Sequence, residues 1–156
     1  MMIQRFLTVA FVLLVVFAIP LAEANAKTSY NASRWTGTAI DGTDPVAYFT
    51  AGKAVEGSSK YTVNWDGAKW RFASAQNRDL FKTNPDKYAP QFGGWCAFAV
   101  SRGYTASVDP KAWSIVNGKL YLNYSLSVRE QWNEDIPGNI TLGQRNWPGL
   151  KAKLLN

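Results

Sequence analysis

The sequence has no histidine and a single cysteine, and these two shortages exclude many kinds of site. Without histidine there is no His-based triad, no His-ligated zinc and no imidazole that titrates near neutral pH. Cys96 alone forms neither a disulfide within the chain nor a Cys-rich metal cage. Both methionines are at positions 1 and 2, so no thioether ligand for copper lies further along the 156 residues.

Signatures of other function classes are also missing. There is no glycine-rich phosphate loop and no Gly-x-Ser-x-Gly nucleophile elbow. The net charge of +6 comes from scattered lysines and arginines, without the basic stripe of a nucleic-acid-binding protein. We therefore predict no nucleic-acid partner and name no catalytic residue. A carboxylate-dependent hydrolase stays open as an alternative, because the separation of two carboxylates is a spatial property.

The first 26 residues follow the three-part pattern of a secretory signal peptide. Arg5 precedes an apolar run over 6–19, and Pro20 and the small residues of Ala24-Asn25-Ala26 follow it. The alternative, a membrane anchor, needs about 20 apolar residues, and this run is shorter. We predict cleavage after Ala26, no stable membrane insertion afterwards and a periplasmic location, since paired cysteines typical of extracellular modules are lacking.

The residues after position 26 are predicted to form one compact domain rich in aromatic residues. Seven Trp, seven Tyr and eight Phe supply large areas for burial, and no low-complexity tract divides the chain. Residues 27–37 are polar and are predicted to form a loose lead-in to a single domain over 38–156.

Two β-hairpin signals occur in this domain. Asp66-Gly67 and Asn117-Gly118 tolerate positive φ in tight turns, and each stands between alternating segments. The predicted strands are 60–65 with 69–72, and 113–116 with 119–124. A further short strand is predicted at 47–50, after a turn at Asp44-Pro45.

A helix is predicted after each hairpin. Ser74 caps the first, which Pro85 ends. A capping box from Ser127 to Glu130 opens the second, which runs through Trp132 and ends at Pro137. The two hairpin-helix (ββα) units are either an internal repeat or a coincidence of common motifs. Both alternatives predict an α+β fold with an aromatic core.

The first unit resembles the YHS-domain family. That family's metal-binding members carry a hairpin followed by Phe-Cys-Ser-x-x-Cys-Arg-x-x-Phe-x-x-x-Pro-x-Lys-Tyr. The matching residues here are Phe72, Ala73, Ser74, Asn77, Arg78, Phe81, Pro85, Lys87 and Tyr88. The segments 44–49 and 93–97 carry a further likeness to the family's exported single-domain branch, so the resemblance covers about residues 38–148.

The resemblance implies a small treble-clef-like fold, with metal handling in members that keep both cysteines. Here Ala73 and Asn77 stand at the two cysteine positions. A soft metal ion needs two or more thiolate, thioether or imidazole ligands, and after the predicted cleavage the chain offers only Cys96. No cofactor is therefore the first expectation, with copper or zinc as an alternative shared between two chains.

Cys96 is the sharpest candidate for a binding or redox site. A Gly93-Gly94 bend before it allows a helix N-terminus, which favours the thiolate. The alternative is a small apolar side chain in a buried short helix, among Trp95 and 97–100. Asp44 and Tyr48 are also ligand-binding candidates, although Asp is equally the ordinary first residue of a Pro-containing turn.

Aromatic residues are divided between core and surface. Those expected to face the core are Trp65, Trp70, Trp95, Trp113 and Trp132. Tyr104, Tyr121 and Trp147 are expected to be exposed, and the two tyrosines are ligand-binding candidates. Arg78 and Arg129, at equivalent helix positions, are expected to pair with carboxylates.

Together these observations predict an exported, non-catalytic binding domain of the cell envelope. Its partner is an unknown small ligand, metal ion or envelope protein, and the chain is a monomer or a weak homodimer. The alternative is a Cys96-dependent role, as a thiol redox or copper(I)-shuttling site at a dimer contact.

Overall fold

A computed structural model describes residues 27–156, and the predicted signal peptide lies outside them. The α+β prediction is confirmed, with helices around two separate two-stranded antiparallel sheets. The strands are β1 (Ser58–Trp65), β2 (Ala68–Phe72), β3 (Asp109–Val116) and β4 (Lys119–Asn123). The helices are α1 (Ala47–Thr50), α2 (Ala75–Thr83), α3 (Pro85–Tyr88), α4 (Ala97–Ser101), α5 (Leu126–Asn133) and α6 (Ile136–Leu155).

Both predicted hairpins are present, and their turns have the expected geometry. Asp66 and Gly67 have φ of 48° and 74°, and Asn117 and Gly118 have φ of 50° and 71°. Positive φ at both central residues matches the right-handed twist of the flanking strands, which explains the Asp-Gly and Asn-Gly dipeptides.

The two ββα units contain the same elements, and corresponding elements are separated by a constant interval in the sequence. β3 begins 51 residues after β1, and the same interval separates β2 from β4. Each hairpin has a register shift in the first half of its first strand, between Ser58 and Thr62 and between Asp109 and Trp113. A short 3-10 turn precedes each unit, at Ile40–Gly42 and Gln91–Gly94. This correspondence favours an internal repeat over coincidence.

Aromatic side chains fill the core, as predicted. Trp70, Phe72 and Phe81 are fully buried in the first unit, with the Trp70 and Phe81 ring centroids 5.2 Å apart. Trp132 is fully buried in the second unit, in a cluster with Phe92. Burial of such large rings supplies much of the hydrophobic stabilisation of a domain this size.

The predicted strand at 47–50 is wrong, because this segment forms α1. Asp44 Oδ1 accepts hydrogen bonds from the backbone N–H of Val46 (2.8 Å) and Ala47 (3.2 Å). A buried carboxylate therefore satisfies N–H groups at the start of the helix, and this capping outweighs the strand propensity of Tyr48 and Phe49.

The predicted bounds of the second unit's helix are also wrong. α5 is capped by Ser125, whose Oγ accepts from the backbone N–H of Val128 at 3.2 Å, and not by Ser127. Pro137 lies in the first turn of α6, after the cap Asp135, instead of ending a helix. Proline is tolerated there because its missing N–H has no intrahelical partner. In the first unit, the Ser74 cap and the stop before Pro85 are confirmed.

The segment 27–37, predicted to be loose, is packed against the domain. The backbone N–H of Asn31 donates to Gly93 O (2.7 Å), and Trp95 Nε1 donates to Ser29 O (2.9 Å). We call residues 27–37 the lead-in segment.

The longest helix, α6, packs against α4 and was not predicted from the sequence. It contains Pro137 and Pro148 and three glycines, a composition that argues against a 20-residue helix. Within residues 27–156, no helix combines the length and apolarity needed to cross a membrane.

Candidate functional site

The site at which the YHS resemblance places metal ligands is closed by hydrogen bonds. Asp44 is fully buried, and its Oδ2 accepts from the backbone N–H of Ala73 at 2.8 Å and from Asn77 Nδ2 at 2.7 Å. With the two N–H groups on Oδ1, four donors surround the carboxylate. Such charge-assisted bonds compensate for the burial of a charge that has no cationic partner.

These residues do not fit a soft metal ion. The side-chain groups near Ala73 and Asn77 that could bind a metal ion are the Asn77 amide and the Asp44 carboxylate. Both oxygens of that carboxylate already accept hydrogen bonds. A copper or zinc site of the family type needs thiolate or imidazole ligands. Across the described range 27–156, no three His, Cys, Asp or Glu residues lie close enough together to hold a metal ion.

Cys96 lies in the core, 1% exposed, at the N-terminal end of α4. Its Sγ lies 3.7 Å from Asn123 Oδ1, which also accepts the backbone N–H of Phe98 at 3.1 Å. The buried alternative is therefore the one observed. A thiol in this position is not available for a metal or disulfide shared between two chains.

Tyr48 is buried and has a structural role. Its hydroxyl donates to Pro110 O at 2.9 Å, which ties α1 to β3. Burial, together with the negative charges of Asp109 and Asp44, raises the pKa of Tyr48 above its ordinary value. The phenol therefore stays protonated as a hydrogen-bond donor.

The exposure predicted for the remaining aromatic candidates is correct for one and wrong for two. Tyr104 is 54% exposed, as predicted. Tyr121 is 2% exposed, because β4 directs its ring onto Trp132, with centroids 5.2 Å apart. Burial raises the pKa of Tyr121. Trp147 is half-buried against Phe92.

Only one of the two predicted arginine-carboxylate pairs forms. Arg78 Nε donates to Asp79 Oδ1 at 2.9 Å on the surface of α2. Arg129 Nε instead donates to the hydroxyl of Ser114 on β3 at 3.1 Å, so the prediction for Arg129 is wrong. The Arg78–Asp79 contact lies within α2, whereas the Arg129–Ser114 contact connects α5 to β3.

A cavity of about 280 Å³ lies where the lead-in segment meets the rest of the domain. We call it the lead-in cavity. The residues that line it include Tyr30, Ala32, Arg34, Gly37, Trp95 and Leu154. None of the five ligand-binding candidates from the sequence is among the lining residues.

The aromatic walls of the lead-in cavity are held in place from behind. The Tyr30 ring packs edge-on against Trp70, with centroids 5.0 Å apart, and also contacts Trp65 at 5.4 Å. The Trp95 indole is fixed by its hydrogen bond to Ser29 O. Walls that do not need to reorganise lower the entropic cost of binding a flat ligand.

One rim of the cavity is a tight turn over residues 33–38. Ser33 Oγ accepts from the backbone N–H groups of Trp35 and Thr36, each at 3.3 Å, and Gly37 N donates to Ser33 O at 2.8 Å. At the tip of the turn, Trp35 is 93% exposed. The sequence carries a signal for this turn, since Ser33 and Gly37 are typical turn residues.

Comparison with known families agrees with the resemblance read from the sequence. The family model described as the YHS domain matches residues 46–92, which extend from α1 through β1, β2, α2 and α3 into the following 3-10 turn. No curated protein and no solved structure matches the chain. The chain thus matches the YHS domain model over residues 46–92, a stretch that includes Ala73 and Asn77.

Proposed function

We propose that the protein is an exported, non-catalytic binding domain of the cell envelope that holds a small organic ligand in the lead-in cavity. The observation that supports this most is the cavity itself, about 280 Å³ in volume and walled by Tyr30 and Trp95. Ligand pockets are typically apolar and aromatic with a few polar groups, and run from about 300 to 1,000 Å³. This cavity suits a ligand of roughly one ring.

A metal-handling role receives less support. In the YHS domains that bind metal, the binding depends on two cysteines. Ala73 and Asn77 stand at those positions here, and both are hydrogen-bonded to Asp44. Cys96, the one soft ligand among residues 27–156, is buried next to Asn123. No observation within residues 27–156 favours the thiol redox, copper(I)-shuttling or hydrolase alternatives.

The proposal is tested by narrowing the cavity from the end of α6. Leu154 lines the cavity, whereas the next residue, Leu155, is 38% exposed and does not. We expect Leu154→Trp to weaken the binding of any small aromatic compound that binds the wild-type chain by at least about tenfold, which corresponds to 1.4 kcal/mol. Leu155→Trp is the matched control and leaves affinity unchanged.

Saturation-transfer NMR with a panel of single-ring compounds, followed by titration of those that bind, measures these affinities. Compounds that bind both variants equally would place the binding site elsewhere. A panel in which nothing binds at millimolar concentration would contradict the proposal.

A further inference from the structure

We propose that the ligand of the lead-in cavity is a small planar carboxylate, held by Arg34 with its ring against the aromatic walls. This inference rests on the proposed function, since it names the ligand class of the same site. It starts from the charges and hydrogen-bond donors around the cavity.

Arg34 is the charged side chain that lines the lead-in cavity, and no Asp or Glu lines it. Among residues 27–156, no hydrogen bond or ion pair engages the Arg34 guanidinium. Arginine presents a planar set of donors that matches the two oxygens of a carboxylate. An unengaged guanidinium at the rim therefore favours an anionic group on the ligand.

A second donor lies one residue away. Ser33 Oγ accepts two backbone N–H groups, so its own proton is free to be donated. The turn that carries Ser33 and Arg34 is closed by the hydrogen bond from Gly37 N to Ser33 O. Both donors thus lie on a turn that its own hydrogen bonds hold together.

Negative charge near Tyr30 favours one orientation of the ligand in the cavity. Asp66 and Asp86 lie close enough to Tyr30 to add to the effect of burial in raising the pKa of its hydroxyl. A carboxylate next to that hydroxyl would be repelled, whereas one next to Arg34 would be attracted. The ligand's carboxylate is therefore expected at Arg34 and its ring between Tyr30 and Trp95.

Benzoate and its neutral analogue benzamide separate this inference from the proposed function. We expect benzoate to bind the wild-type chain roughly tenfold more tightly than benzamide in low-salt buffer, with the difference shrinking as salt is added. Arg34→Gln should weaken benzoate binding until it equals that of benzamide. Arg145→Gln is the control, because Arg145 is exposed on α6 and does not line the cavity.

Titrations followed by NMR give six dissociation constants, for two compounds and three proteins. Equal affinity for benzoate and benzamide, or a preference that survives Arg34→Gln, would overturn the carboxylate assignment while leaving the cavity as a binding site. Failure of both compounds to shift the resonances of residues 28–37 would overturn the proposed function along with it. A preference lost equally in Arg145→Gln would show a general charge effect and would also overturn the assignment.

Discussion

At the scale of single residues, Asp44 joins three parts of the first unit. Its carboxylate receives N–H groups from the start of α1, from Ala73 after β2 and from Asn77 in α2. Each oxygen accepts two donors, an arrangement that only a carboxylate satisfies fully. Asn77 thereby takes a structural role at a position where the family's metal-binding members have cysteine.

Asp44→Asn should destabilise the fold by about 2–3 kcal/mol, because the new amide group would face backbone or side-chain N–H donors. Urea unfolding measures the change in the free energy of unfolding. Asp41→Asn is the control. Asp41 is exposed with φ of 52°, a conformation that Asn tolerates, so we expect a change within about 0.5 kcal/mol. Equal effects of the two substitutions would show that the Asp44 hydrogen bonds are unimportant.

The burial of Cys96 gives a second prediction at this scale. A thiol that is 1% exposed should react with an aromatic disulfide reagent only when the domain opens, so labelling in native buffer should be slow and should accelerate in urea. Labelling that is complete within seconds near neutral pH would contradict the burial of Cys96.

At the scale of elements, α6 covers the second unit through close contact with the turn before α4. Gly143 faces the Phe92 ring, and a Cβ placed on it would lie 2.5 Å from Phe92 Cζ. A glycine is needed there for packing, although it is unfavourable for the helix itself. Gly149 of the same helix has no atom within 4 Å of such a Cβ.

Alanine substitutions at these two glycines should therefore change the stability of the protein in opposite directions. Gly143→Ala should destabilise the protein by about 1–3 kcal/mol, because Phe92 must shift within the core. Gly149→Ala should stabilise it by about 0.5–1 kcal/mol through helix propensity alone. Thermal and urea unfolding compare the two. Stabilisation by Gly143→Ala would mean that α6 does not pack on Phe92.

The sequence predicts an element correctly here when its signal is local. The Asp66-Gly67 and Asn117-Gly118 turns and the Ser74 cap are fixed by neighbouring residues, and all three are confirmed. α1 and α6 were missed because tertiary contacts decide them. The buried Asp44 caps α1, and packing on α4 holds α6 despite its two prolines.

The site was less predictable than the fold for the same reason. The lead-in cavity brings part of the lead-in segment together with Gly67, Trp95 and Leu154, which are far apart in the sequence. The residue types of Asp44, Tyr48 and Cys96 make them ligand-binding candidates in the sequence, yet each is buried among structural contacts. The turn signal at Ser33 and Gly37 was present, but nothing local places Trp95 behind it.

At the scale of the whole molecule, buried phenols link stability to alkaline pH. Burial is the main cause of the raised pKa of Tyr30, Tyr48 and Tyr121. The folded state therefore keeps these protons at pH values where the unfolded chain has released them. Ionisation of these tyrosines should leave the free energy of unfolding unchanged below about pH 10 and should lower it as the pH rises further.

Tyr48→Phe isolates one part of this effect. The variant should lose about 1 kcal/mol near neutral pH, since its bond to Pro110 O is gone, and should then decline less steeply above pH 10 than the wild type. Tyr104→Phe is the control, because Tyr104 is 54% exposed and should follow the wild type. Unfolding midpoints between pH 8 and 12 give the comparison. Parallel curves for wild type and Tyr48→Phe would contradict the assignment.

The most direct test of the lead-in cavity as a binding site is an amide chemical-shift map of the ¹⁵N-labelled chain during addition of benzoate. We predict that the shifted resonances belong to the cavity lining, within the lead-in segment and at Gly67, Trp95 and Leu154, with Ala73 and Asn77 unchanged. Shifts centred on Ala73, Asn77 and Cys96, or no shifts at millimolar benzoate, would contradict it.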